Sequence, residues 1–123
     1  MPEPLPDDIA ELLDILLNLD DPVQATLRTH VPHMRVENRC TCGCGTAYFA
    51  LDTGLVSPAD SGPGRVVAAE RLIVTDDGDC RGEVLVFAED GYLSWLEVCD
   101  WSDGAEVTLT LALQTLRPAR NAP

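Results

Sequence analysis

The chain has 123 residues, 46% of them hydrophobic, and a formal charge of -13 at pH 7. That length suits a single domain, and the apolar share excludes a disordered tail as the main component. The charge excludes direct binding to nucleic-acid phosphates or to an anionic membrane surface, favours basic partners and helps keep a protein in solution.

All eight basic side chains are arginine, a pattern that the codon usage of a GC-rich genome produces without any functional cause. No apolar run approaches the roughly 18 residues that a membrane span needs. Met1-Pro2-Glu3-Pro4 carries no positive charge and no signal-type apolar core, so a cytoplasmic location is expected. Five cysteines, an odd number, fit reduced thiols or a metal site better than an exported disulfide framework.

Residues 1–32 read as helical, 33–116 as strand-rich and 117–123 as a tail, all within one domain. The first helix is expected from Asp8 to Leu19, with Asp8 and Glu11 as a capping box and Ile9, Leu12, Leu13, Leu16 and Leu19 as the buried stripe. Asp21 and Pro22 start a second helix, with Asp21 as cap and Pro22 in the first turn. Val23, Leu27 and Val31 keep its period until Pro32, which is expected to force Val31 out of helical geometry. His30, near the negative pole of that helix, reads as a surface histidine stabilised by the dipole.

From Met34 the period changes to two. The expected strands are Met34–Arg39, Thr46–Leu51, Val66–Val74, Glu83–Glu89, Tyr92–Cys99 and Glu106–Leu116, with Thr53–Gly64 as the longest loop. Glu89-Asp90-Gly91-Tyr92 is a two-residue hairpin turn, since Asp-Gly tolerates positive φ. Its simplest register sets Ala88 opposite Leu93, Phe87 opposite Ser94, Val86 opposite Trp95 and Val84 opposite Glu97. Both faces of that hairpin are largely apolar. Such a hairpin lies centrally under helices, or a homodimer partner covers the open face of the sheet. The expected fold is therefore α+β: an N-terminal helical hairpin packed on a mainly antiparallel sheet of five or six strands.

Cys40-Thr41-Cys42-Gly43-Cys44-Gly45 is the densest cluster of chemically competent groups. Cys40, Cys42 and Cys44 can supply two or three thiolates to zinc, with His33, Cys80 or Cys99 as fourth ligand. The spacing departs from the usual two-residue knuckle, so buried reduced cysteines and a redox or regulatory thiol stay open beside it. A catalytic thiol would require His30 or His33 as base. Asp76-Asp77-Gly78-Asp79 reads as a turn, because the spacing of a calcium loop is not met.

Acidic side chains cluster in residues 1–21 and again in 76–106, where ten carboxylates face Arg81 alone. Tyr92, Trp95 and Trp101 fall among them, together with Asp100 and Asp103. Aromatics among carboxylates suit a surface that receives a basic protein, while core packing is the alternative for both tryptophans.

Arg39 to Cys44, an Arg-Cys-x-Cys-Gly-Cys turn, and Gly82 to Glu97, a Gly-Glu-x-Leu-x-Phe-x-Glu-Asp-Gly-Tyr-Leu-Ser-x-Leu-Glu hairpin, resemble a group of small uncharacterised actinobacterial proteins. The resemblance implies a compact domain and no particular activity. Serine elbows, phosphate loops and HExxH helices are absent from the sequence, which argues against the familiar enzyme classes. Two expectations follow: a non-enzymatic acidic protein-binding domain of immunity or antitoxin type, or a small zinc-stabilised or thiol-regulatory protein built on the cysteine cluster. An enzyme would need a cleft in which a strongly perturbed ionisable group sits.

Overall fold

A computed structural model describes residues 3–18, 20–39, 46–75, 77–101 and 108–116. The order is β1 (Glu3–Pro4), α1 (Asp7–Leu16), α2 (Pro22–His30), a 3-10 turn (Val31–His33), β2 (Met34–Arg39), β3 (Ala47–Leu51), β4 (Arg65–Val74), β5 (Cys80–Glu89), β6 (Tyr92–Asp100) and α3 (Leu109–Leu116). The strands form one antiparallel sheet in the order β1-β2-β3-β6-β5-β4. The helices pack on it, so the fold is α+β.

The N-terminal stripe works as its spacing requires: Ile9, Leu12, Leu13 and Leu16 are buried in α1, joined by Leu17 and, from α2, Leu27. They meet Val36, Ala47, Phe49, Ile73, Val84, Val86, Ala88, Leu93, Leu96 and Val98 of the sheet in one core. Arg28 of α2 donates to the Leu17 carbonyl and so ties the second helix to the end of the first.

Several expectations are corrected. Helix α1 begins one residue earlier, with Pro6 in the cap position and no side-chain cap. Asp8 accepts instead from the adjacent Ile9 N–H at 2.8 Å, so it sits inside the helix and the capping box does not form. The helix stops at Leu16, and Leu19 lies outside the described residues. Asp21 does cap α2, accepting from Val23 N–H, with Pro22 behind it. Pro32 does not expel Val31 from helical geometry; Val31 stays right-handed and the chain tightens into the 3-10 turn.

The last expected strand is a helix. Within residues 109–116 the alternation of Leu109, Leu111 and Leu113 overlaps a second period, Leu109, Ala112, Leu113 and Leu116, and the helical set is the one turned toward the core. At the start of the helix Thr108 Oγ1 accepts Leu111 N–H at 3.2 Å as an N-cap. Glu106 and Val107 lie outside the described residues.

The hairpin register holds at Glu89↔Tyr92 and Ala88↔Leu93 and then slips. A bulge leaves Ser94 unpaired, so Phe87 faces Trp95, Val86 faces Leu96 and Val84 faces Val98. One extra residue moves every later side chain of β6 to the other face. Leu96 and Val98 thereby enter the core, while Trp95 and Glu97 turn to the opposite side.

Candidate functional site: the open face of the sheet

Directly paired residues of antiparallel strands share a face. The face turned away from the helices therefore carries a continuous row across four strands: Val67 opposite Phe87, Phe87 opposite Trp95, and Trp95 opposite Tyr48. Phe87 and Trp95 stack with ring centroids 4.1 Å apart, and Tyr48 lies 5.8 Å from Trp95. The Arg65 guanidinium sits 4.4 Å above the Trp95 ring, a cation–π contact, and is 3.8 Å from Glu89. Trp95 is 8% exposed, whereas Tyr48 and Val67 are each nearly half exposed.

Carboxylates border the row. Glu70 opposite Leu85, Leu85 opposite Glu97, and Leu72 opposite Glu83 continue the same face down the sheet. Glu97 is held in place by Trp95 Nε1–H at 3.4 Å and Cys99 Sγ at 3.1 Å. On this face Glu70, Glu83, Glu89 and Glu97 outnumber Arg65, Arg81 and, on β2, Arg35, so it is net negative as well as aromatic.

The expected partner residues separate. Trp95 belongs to this face; Trp101, just beyond β6, is 55% exposed. Asp100 pairs with Gly82 at the far end of the hairpin. Tyr92 lies at the turn, stacked on His30 at 5.8 Å. Asp103 lies outside the described residues. Tyr48 and Val67 were missed by sequence reading, because their partner strands β3 and β4 lie far from the hairpin in the chain and only sheet order brings them alongside.

His30 is not a surface residue. It is fully buried, with Nε2 2.7 Å from the Ser57 carbonyl and Nδ1 accepting Leu93 N–H at 3.4 Å. Both contacts are satisfied together by the neutral Nε2–H tautomer. The ring thus joins α2, the Thr53–Gly64 loop and β6. The same loop is fastened to the hairpin turn by Ala59 N–H donating to Gly91 O, Asp90 N–H to Gly64 O and Gly64 N–H to the Asp90 carboxylate. This loop is therefore pinned at its middle and its end.

Cys40, Cys42 and Cys44 lie outside the described residues, and among those described no three of His, Cys, Asp or Glu gather as a metal site. His33 closes the 3-10 turn ahead of β2, at the opposite end of that strand from Arg39. Cys80 is exposed at the start of β5. Cys99, by contrast, lines one cavity of about 390 Å³ with both Arg39 and Thr46, the residues that bracket 40–45.

Thr75, Asp77, Gly78 and Asp79 are held in a turn: Thr75 donates to Asp77, Asp79 N–H donates to Asp77 at 3.2 Å, and Gly78 has φ +86°. Arg81 stands 3.8 Å from both Asp77 and Asp79. The Thr75 hydroxyl, and after it the Asp79 amide, hold the Asp77 carboxyl below its ordinary value. Asp76 lies outside the described residues.

Comparison with family models, with curated proteins and with solved structures finds no match to this chain. Among the described residues no helix is long and apolar enough to cross a membrane.

Proposed function

We propose that the chain is a non-catalytic acidic binding domain, of immunity or antitoxin type, that docks a basic protein on the open face of its sheet. The observation that carries this reading is the row Val67, Phe87, Trp95 and Tyr48 bordered by Glu70, Glu83 and Glu97. An aromatic centre supplies contact area, and the carboxylate rim steers and selects a cationic partner. A second copy is the poorer occupant, because two chains of charge -13 repel and would press carboxylate rims together. Affinity capture tests the reading with three baits: the wild-type chain, Tyr48→Ser/Val67→Ser, and Leu55→Ser as a control at an exposed leucine elsewhere. A basic partner retained by the wild type and the control, lost from the double variant and weakened by salt is the expected result. Retention by all three baits, no partner at low salt, or a homodimer that buries Tyr48 overturns it.

A second reading rests on the Cys99 cavity. Cys99 shares that cavity with both ends of the segment that carries Cys40, Cys42 and Cys44, which supports a zinc or regulatory thiol site with Cys99 as the fourth ligand. Elemental analysis of protein purified without added metal decides the zinc version. Stoichiometric zinc that falls with Cys99→Ser supports it, and less than about 0.2 zinc per chain ends it.

A further inference from the structure

His33 lines two neighbouring surface cavities. One, of about 670 Å³, is lined by Leu5, Val31, Pro32, Met34 and Leu55 and by the polar residues His33, Arg35 and Asp52. Its neighbour, about 700 Å³, shares His33 and Leu55 and continues along Thr26, Thr29 and Ser57. Cavities of roughly 300–1,000 Å³ with apolar walls and a few convergent polar groups are the size and character of small-molecule sites.

Carboxylates number 21 and basic residues 8, and Arg39, Arg65 and Arg81 are all ion-paired. Among the described residues, no side-chain hydrogen bond or ion pair engages Arg35 or His33. The carboxylate in the groove is otherwise engaged: Asp52 Oδ1 accepts Gly54 N–H at 3.0 Å within its own turn. Two unpaired nitrogen donors beside an apolar wall complement an anion that has an apolar body.

We propose that this groove binds an amphipathic carboxylate. Its charged end meets the Arg35 guanidinium and the His33 ring, and its apolar body lies against Leu5, Val31 and Leu55. The chain's overall negative field opposes any anion, but that field is screened beyond about 8 Å at physiological salt, whereas a guanidinium–carboxylate pair acts in contact.

The test uses octanoate as probe, with octanol and octylammonium as the uncharged and cationic comparisons, on the 15N-labelled full chain in moderate salt. Octanoate is expected to shift the amides of Val31, His33, Arg35, Asp52 and Leu55 saturably. Octanol should bind about tenfold more weakly, as should octanoate to Arg35→Gln or His33→Gln, the loss of one charge-assisted contact. Octylammonium should produce no saturable shift at these positions. Both substituted side chains are exposed, and an unchanged spectrum elsewhere shows that each variant folds. Leu55→Ser provides an apolar-wall variant with the same expected weakening. The proposal is overturned by absence of saturable shifts with octanoate, by equal binding of octylammonium, by unchanged affinity in all three variants, or by shifts confined to the Tyr48 and Trp95 face.

Discussion

Replacing His30 by leucine, which keeps bulk and removes both ring nitrogens, is expected to destabilise the domain by about 2–4 kcal/mol. The Leu93 N–H, buried and donating to Nδ1, loses its acceptor, which costs about 1–3 kcal/mol. The Ser57 carbonyl is only part-buried, so water recovers some of its loss and about 0.5–1 kcal/mol remains. The ring contact with Tyr92 adds about 0.5 kcal/mol. Urea unfolding followed by tryptophan fluorescence measures the sum. With a slope of about 1.5 kcal/mol/M, the midpoint should fall by about 1.3–2.7 M at unchanged slope. Hydrogen exchange locates the effect: the amides of Leu93 and of Ala59, which is bonded to Gly91, should lose protection before the β5 amides do. A variant within about 0.5 kcal/mol of wild type would refute the reasoning, because so small a change belongs to surface positions.

Gly91→Ala should destabilise by more than about 2 kcal/mol in the same assay, because φ is +89° and the new Cβ would lie 2.4 Å from the Ala59 carbonyl oxygen. Gly82→Ala should prevent normal pairing of β5 with β6, visible as loss of the native spectrum, since its Cβ would fall 2.0 Å from Cys99 O. Thr108→Ala should cost about 1 kcal/mol through loss of the α3 cap, with raised exchange confined to Leu109–Leu116. Asp77, whose carboxyl is held low chiefly by the Thr75 hydroxyl, should titrate below the ordinary aspartate value by carboxyl NMR and return toward it in Thr75→Val. A depressed folded value means that its contribution is present above the ordinary value and is lost as the pH falls through the folded one.

The elements whose cause is local were readable from sequence. Asp21-Pro22, the stripe of α1 and the Asp-Gly turn each act within a few residues, and the strands β2 to β6 begin and end within three residues of expectation. The errors arose where local signals were degenerate. In residues 109–116 leucines satisfy both periods, and only burial against α1 and β4 chooses between them. In β6 no residue type announces that Ser94 will be skipped, yet that single slip moves Trp95 out of the core face and creates the candidate site. His30 fits a helix terminus equally well as a solvated cation or a buried neutral ring. What decides is a loop 27 residues away that brings the Ser57 carbonyl to it. Of the partner-surface residues expected from sequence, Tyr92, Trp95, Trp101, Asp100 and Asp103, Trp95 alone among the described ones falls in the aromatic row, which sheet order assembles from β3, β4, β5 and β6.

The account stands most directly on the spectrum of the 15N-labelled chain titrated with the basic protein that the wild-type bait retains. The Trp95 indole N–H and the Tyr48 and Val67 amides should shift and saturate together, more weakly as salt is raised, while the Trp101 indole stays in place. Saturable shifts that leave Trp95, Tyr48 and Val67 unmoved would contradict the assignment of the open face as the binding surface.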